Sequence, residues 1–127
     1  MAVTIDGSAG VTTNAGGSVN PSTNVDGINY SCRAWVNFNG TGTVAIRASG
    51  NVTSITDNGT GDYTVNFTTA MTDANYAVVT SGNRSAAFLT AINDTRGAPT
   101  ASLVYIFTAV SAGTAADSPY ANVSIFR

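Results

Sequence analysis

The feature that most constrains this chain is an alternation of apolar and polar residues with a period of two. In DYTVNFTT, residues 62–69, Tyr63, Val65 and Phe67 share one face and polar residues take the other. Successive side chains of a strand point to opposite faces, so such a run specifies a half-buried strand. The pattern recurs at residues 28–39, 44–49, 52–56, 76–80, 86–92, 102–110 and 121–126. No segment carries an apolar stripe of helical period. The strong helix formers Glu, Lys and Gln are absent altogether. Turn chemistry separates the runs. DNGTGD (residues 57–62) has the Asn-Gly signal of a hairpin, NDTRGAP (93–99) reads as a loop, and residues 70–75 read as a loop or a single helical turn. With no crossover helices a parallel sheet is excluded. The expectation is an all-β fold, an antiparallel β-sandwich of jelly-roll-like character, forming one domain over residues 28–127. Residues 1–27 hold a short candidate strand at 2–5 and then a Gly/Ser/Thr/Asn-rich stretch, expected as an extended N-terminal arm or loose segment.

Charge narrows the function classes. Only 9% of residues are charged, against about 25% in an ordinary domain. The net charge is −2 and the five arginines are scattered, at Arg33, Arg47, Arg84, Arg96 and Arg127. Nucleic acid needs clustered cations to displace counterions, so it is not an expected partner. No stretch suits a transmembrane span and the start MAVTIDGSAG has no signal-peptide pattern, so no membrane contact is expected. A single Cys rules out an intrachain disulfide. The Asn-x-Ser/Thr triplets at Asn51, Asn58, Asn83 and Asn93 read as products of an Asn/Thr-rich composition.

Catalytic chemistry finds few candidates. Cys32 would need a base or cation to hold it as thiolate, yet the chain has no His. Strand alternation groups Cys32 with Ala34, Val36 and Phe38, a core-facing set. Without His, and with one Cys, zinc is excluded. DNGTGD does not match a calcium loop, and turn formation accounts for its Asp and Asn. All seven acids are Asp and sit in expected turns, where capping is the plain role. No phosphate-binding loop is present. The chain is therefore expected to be no enzyme and to use no cofactor.

Attention moves to the opposite face of that strand, which carries Arg33, Trp35 and Asn37. A hairpin that keeps apolar faces together pairs Phe38 with Val44 and Val36 with Ile46. It sets Trp35 opposite Arg47, within reach of a cation–π contact. Such a Trp/Arg patch suits a subunit interface; an exposed Trp also suits a sugar platform, and the interface is the favoured reading. Leu103, Tyr105 and Phe107 alternate with Val104 and Ile106, so this strand is apolar on both faces and should be central or face a partner. The last strand has the same two-sided tendency, which adds Tyr105, Tyr120 and Phe126 to the candidate interface.

The segment 31–82 resembles one that recurs in bacteriophage virion proteins. The most specific parts are CRAWVNFNGTGT (32–43) and ITDNGTGDYTVNFTTAM (55–71). It is similar to the terminal domain of tail-fibre and related structural proteins, particularly of phages infecting cyanobacteria and other aquatic bacteria. The resemblance implies a non-enzymatic β domain, homotrimeric, on the virion surface and assembled in the host cytoplasm. It carries over no catalytic or ligand residues. The residues before the resembling segment leave room for an arm but not for a fibre shaft. The expectation is a capsid decoration or cement protein whose partners are copies of itself and the major capsid protein or other virion proteins. The alternative is a tail-fibre tip or adaptor that binds a host receptor or glycan.

Overall fold

The alternating runs become strands of two antiparallel sheets that pack face to face. The computed structural model describes residues 3–6, 10–13, 24–25, 28–29, 31–83, 88–110 and 113–127. The chain divides into two units, Met1–Tyr30 and Ser31–Arg127. In the first, β1 (Val3–Asp6) pairs antiparallel with β2 (Gly10–Thr13), and β3 (Asn24–Val25) with β4 (Ile28–Asn29). The remainder of the segment expected as an arm lies outside the described residues.

The second unit is the β-sandwich. Its strands are β5 (Cys32–Asn39), β6 (Ala45–Gly50), β7 (Val52–Gly59), β8 (Asp62–Phe67), β9 (Ala77–Asn83), β10 (Phe88–Ile92), β11 (Leu103–Val110) and β12 (Tyr120–Phe126). Sheet I has the order β6-β5-β12-β9 and sheet II the order β10-β11-β8-β7. Among the described residues there is no helix, so none is long and apolar enough to cross a membrane. The 70–75 segment is a run of bends rather than a helical turn.

The core lies between the sheets. Val36, Phe38, Val123 and Ile125 enter it from sheet I; Tyr63, Val65, Val104 and Ile106 enter from sheet II. Each large side chain buried in this way stabilises the fold by about 1.5–3 kcal/mol. Phe38 and Tyr63 meet edge to face at 5.1 Å, a favoured ring geometry. The two-sided strand β11 is central in sheet II, as its pattern requires. Val44, Ile46 and Val78 pack at the margin of the core, only partly buried.

Three sequence expectations fail for identifiable reasons. First, residues 28–39 do not form one strand: β4 ends at Asn29 and β5 starts at Cys32. Second, Cys32 is exposed rather than buried. A bulge explains this: Ile125 pairs with Ala34 but Phe126 pairs with Cys32, so Arg33 is an extra residue and alternation breaks there. Third, the β5–β6 register is different. Phe38 pairs with Ile46 and Trp35 with Gly50; a second bulge makes Arg47 the unpaired residue. The connecting loop is 40–44 instead of the expected 39–43, and its Gly40 is held by tertiary contacts. Its N–H donates to Ser118 O at 2.8 Å and its carbonyl lies 3.0 Å from the Tyr63 hydroxyl. A side chain on Gly40 would collide with that hydroxyl.

Asn51 joins the two sheets at the β6–β7 corner. It adopts φ 56°, a left-handed conformation that Asn tolerates better than most residues. Its Nδ2 donates to Arg33 O at 3.0 Å and Thr69 O at 3.1 Å, and its Oδ1 accepts from Thr69 N at 2.7 Å. At the opposite edge Thr90 donates to Thr80 at 2.8 Å, linking β10 to β9.

Candidate interaction surface

The outer face of sheet I is built by the residues that alternate with the core. Register places them in cross-strand rows. Cys32, Phe126 and Ala77 form one row, and Gly50, Trp35, Ser124 and Val79 the next. Then come Ala48, Asn37, Asn122 and Ser81, and Tyr120 and Asn83 close the face. Four large apolar side chains stand out from it: Trp35 (43% exposed), Val79 (57%), Tyr120 (48%) and Phe126 (39%). Exposure of this size on neighbouring strands is unusual for a face meant only for water.

Local contacts hold these groups in place. The Trp35 indole lies over Gly50, where any Cβ would come within 2.5 Å of Nε1. The expected Trp35–Arg47 contact is replaced: the Arg47 guanidinium stacks 4.4 Å from the centroid of the Tyr120 ring. The bulge at Arg47 turns it toward the loop end of the sheet rather than toward Trp35. The middle row is polar and self-satisfied, with Asn37 Nδ2 donating to Asn122 Oδ1 and Asn122 Nδ2 donating to Ser81 Oγ. None of β5, β6, β9 and β12 contains an acidic residue, whereas Arg33 and Arg47 are exposed. The face therefore carries apolar side chains on either side of a polar row, with a positive rim. Arg127, just beyond β12, is paired with Asp73.

Of the sequence candidates, Arg33, Trp35, Asn37, Arg47, Tyr120 and Phe126 all belong to sheet I. Tyr105 does not join them. It lies half-buried on β11 of sheet II, where Gly97 packs against its ring. The 93–100 loop runs over that face, with Arg96 paired to Asp62 at 2.6 Å and Asn93 Nδ2 donating to Asp62 at 3.1 Å. Val79 was not foreseen. The signal was present in the pair Val78-Val79, since two adjacent apolar residues in a strand must face opposite ways.

Side-chain chemistry elsewhere is structural. Asp57 accepts from Gly59 N and Asp73 from Asn75 N, both turn bonds. The Asn75 backbone bond, and then the hydrogen bond and charge of the Arg127 guanidinium, hold the Asp73 carboxyl below its usual range. Asp57, Asn58 and Asp62 of the DNGTGD run go to different partners. Among the described residues no group of three or more His, Cys, Asp or Glu could hold a metal. Burial, reinforced by Asp117, pushes the Tyr63 phenol far above its ordinary value, and its hydroxyl lies 2.7 Å from Asp117 Oδ1. The Asn51, Asn58 and Asn93 carboxamides are engaged within the fold.

No protein-family model, curated protein or solved structure matches this chain.

Proposed function

We propose that this chain is a non-enzymatic structural protein of a bacteriophage virion, acting as a capsid decoration or cement protein through protein–protein contacts. The observation that carries the proposal is the exposed Trp35/Val79/Phe126 face of sheet I with its arginine rim. Aromatic and Arg side chains are the groups that dominate binding energy at protein interfaces. A partner with acidic residues around an apolar patch would complement it. In a trimer, another copy would present such a surface from outside sheet I, where all its described aspartates lie. The major capsid protein or another virion protein would take the remaining contacts. The resemblance of residues 31–82 to virion proteins supplies the biological setting, and a homotrimer is the assembly that it implies.

The test is the number of copies per purified particle, measured by quantitative mass spectrometry against the major capsid protein. Hundreds of copies are expected. A handful, or label confined to the tail, would overturn the decoration role in favour of a fibre tip or adaptor. Absence from the particle would overturn the virion reading itself.

A further inference from the structure

The tetrapeptide Asn-Gly-Thr-Gly occurs twice, at residues 39–42 and 58–61, and holds both Asn-Gly pairs of the chain. In an Asn-Gly pair the backbone nitrogen of Gly can attack the carboxamide carbon of the preceding Asn and close a succinimide ring. Glycine permits this because it has no Cβ to obstruct the approach and adopts most backbone conformations. The local sequence is the same at both places, so any difference in reactivity comes from the fold.

The first pair is locked. Gly40 is buried, and its N–H donates to Ser118 O at 2.8 Å. The Asn39 carboxamide is held at both ends: Nδ2 donates to Thr41 O at 2.8 Å, and Oδ1 accepts from Thr41 N at 3.2 Å and from Thr41 Oγ1 at 2.8 Å. Tyr63 and Ser118 fill the space around Gly40.

The second pair is open. Asp57 pairs with Tyr63 and Gly59 with Asp62, so Asn58 is the extra residue of a bulge. Gly59 is exposed, has φ +127°, and a Cβ there would meet no other part of the described chain within 4 Å. Among the described residues the Asn58 carboxamide makes one hydrogen bond, from Nδ2 to Thr64 Oγ1 at 2.9 Å. The Gly59 N–H donates to Asp57 Oδ1 at 3.0 Å. The attacking nitrogen therefore already directs its proton at a carboxylate, the arrangement that a general base requires.

We propose that Asn58 is a site of self-modification, deamidated through an Asn58–Gly59 succinimide with Asp57 as proton carrier, while Asn39 is protected. The bond between Gly59 N and Asn58 Cγ forms as the Gly59 proton passes to Asp57. The Cγ–Nδ2 bond then breaks, Asp57 returns the proton, and Nδ2 leaves as ammonia. Water opens the ring at either carbonyl, leaving aspartate or isoaspartate. Either product makes the chain one charge more negative than its net −2. Isoaspartate also adds a methylene to the backbone, at a bulged residue that pairs with nothing in the ladder. The site is separate from the open face of sheet I and does not depend on the decoration role.

The experiment is peptide mapping of the folded full chain, incubated in mildly alkaline buffer and sampled over weeks. Cleavage after Arg33, Arg47 and Arg84 puts Asn39 on peptide 34–47 and Asn58 on peptide 48–84, and fragmentation assigns the converted residue. Asn58 should convert at least about tenfold faster than Asn39, whose reaction waits for local opening. In urea the two rates should become similar. Asp57→Asn keeps an acceptor for the Gly59 N–H but removes the base, and should slow Asn58 conversion about tenfold. Circular dichroism reports that this variant is folded. Equal rates at Asn39 and Asn58 in the folded chain would overturn the proposal, as would a difference that persists in urea. An unchanged Asn58 rate in folded Asp57→Asn would overturn the role of Asp57.

Discussion

The two outer faces of the sandwich carry comparable apolar side chains and treat them differently. On sheet II the aromatic rings of Tyr105 and Phe107 are half-buried, as is Leu103, and the 93–100 loop packs against Tyr105 and is pinned by Arg96–Asp62, while the aliphatic Leu89 and Ile92 of edge strand β10 are exposed. On sheet I, Trp35, Val79, Tyr120 and Phe126 remain exposed, and no loop among the described residues of the sandwich crosses them. A chain that covers one aromatic strip with its own backbone and leaves the other open has an internal control for function. The covered strip contributes to folding; on the proposed function the open strip contributes to binding a partner.

The most decisive way to break this comparison is to substitute both faces in parallel. Trp35→Ala and Phe126→Ala should each weaken assembly by about 2 kcal/mol or more, some thirtyfold. Each should change unfolding free energy by no more than about 0.5 kcal/mol. Tyr105→Ala should do the reverse, costing about 2 kcal/mol in urea denaturation while leaving assembly unchanged. Equal stability losses on both faces would mean that the open strip is ordinary packing.

Asn51→Ala probes the corner that ties the faces together. Losing its hydrogen bonds in a left-handed conformation should cost about 1–2 kcal/mol. Asn51→Gly, which keeps that conformation available, should cost less. The order of the two midpoints in urea checks this.

The covering loop also predicts a pH response. The Tyr76 hydroxyl lies within hydrogen-bonding distance of Thr100 O (2.9 Å) and Leu103 O (3.0 Å). Burial pushes its phenol up to about 12 from an ordinary 10.0. A phenol raised in the folded state contributes stability that is complete below about pH 10 and is lost as pH rises toward 12. Tyr63, raised further, adds to the loss in the same direction. Thermal melts of Tyr76→Phe between pH 9 and 12 should fall less steeply than those of the parent. The smallest effect belongs to Arg96→Ala. An exposed ion pair of this kind is worth about 0–1 kcal/mol, so faster amide exchange in the 93–100 loop is the expected readout, with global stability nearly unchanged.

Sequence periodicity made the sandwich legible, together with the inward set from Ala34 to Phe38 and the central position of β11. These depend only on which residues alternate. The site was legible in part, since Arg33, Trp35, Asn37, Arg47, Tyr120 and Phe126 do share one sheet. What alternation cannot reveal is where it breaks. The bulges at Arg33 and Arg47 each insert one residue, and they turn Cys32 outward and send Arg47 to Tyr120 instead of Trp35. The bonds that anchor this strand are long-range as well: Gly40 bonds to Ser118, and Asn51 to Arg33, across spans that no local pattern encodes.

The central claim is that the open face of sheet I is an assembly surface. Sedimentation velocity on the full chain and on its Trp35→Ala variant tests it most directly. The account predicts an oligomer of about trimer mass for the parent and, for the variant, folded protein shifted to monomer at concentrations where the parent assembles. A parent that stays monomeric at every concentration, or a variant that assembles as well as the parent, would contradict it.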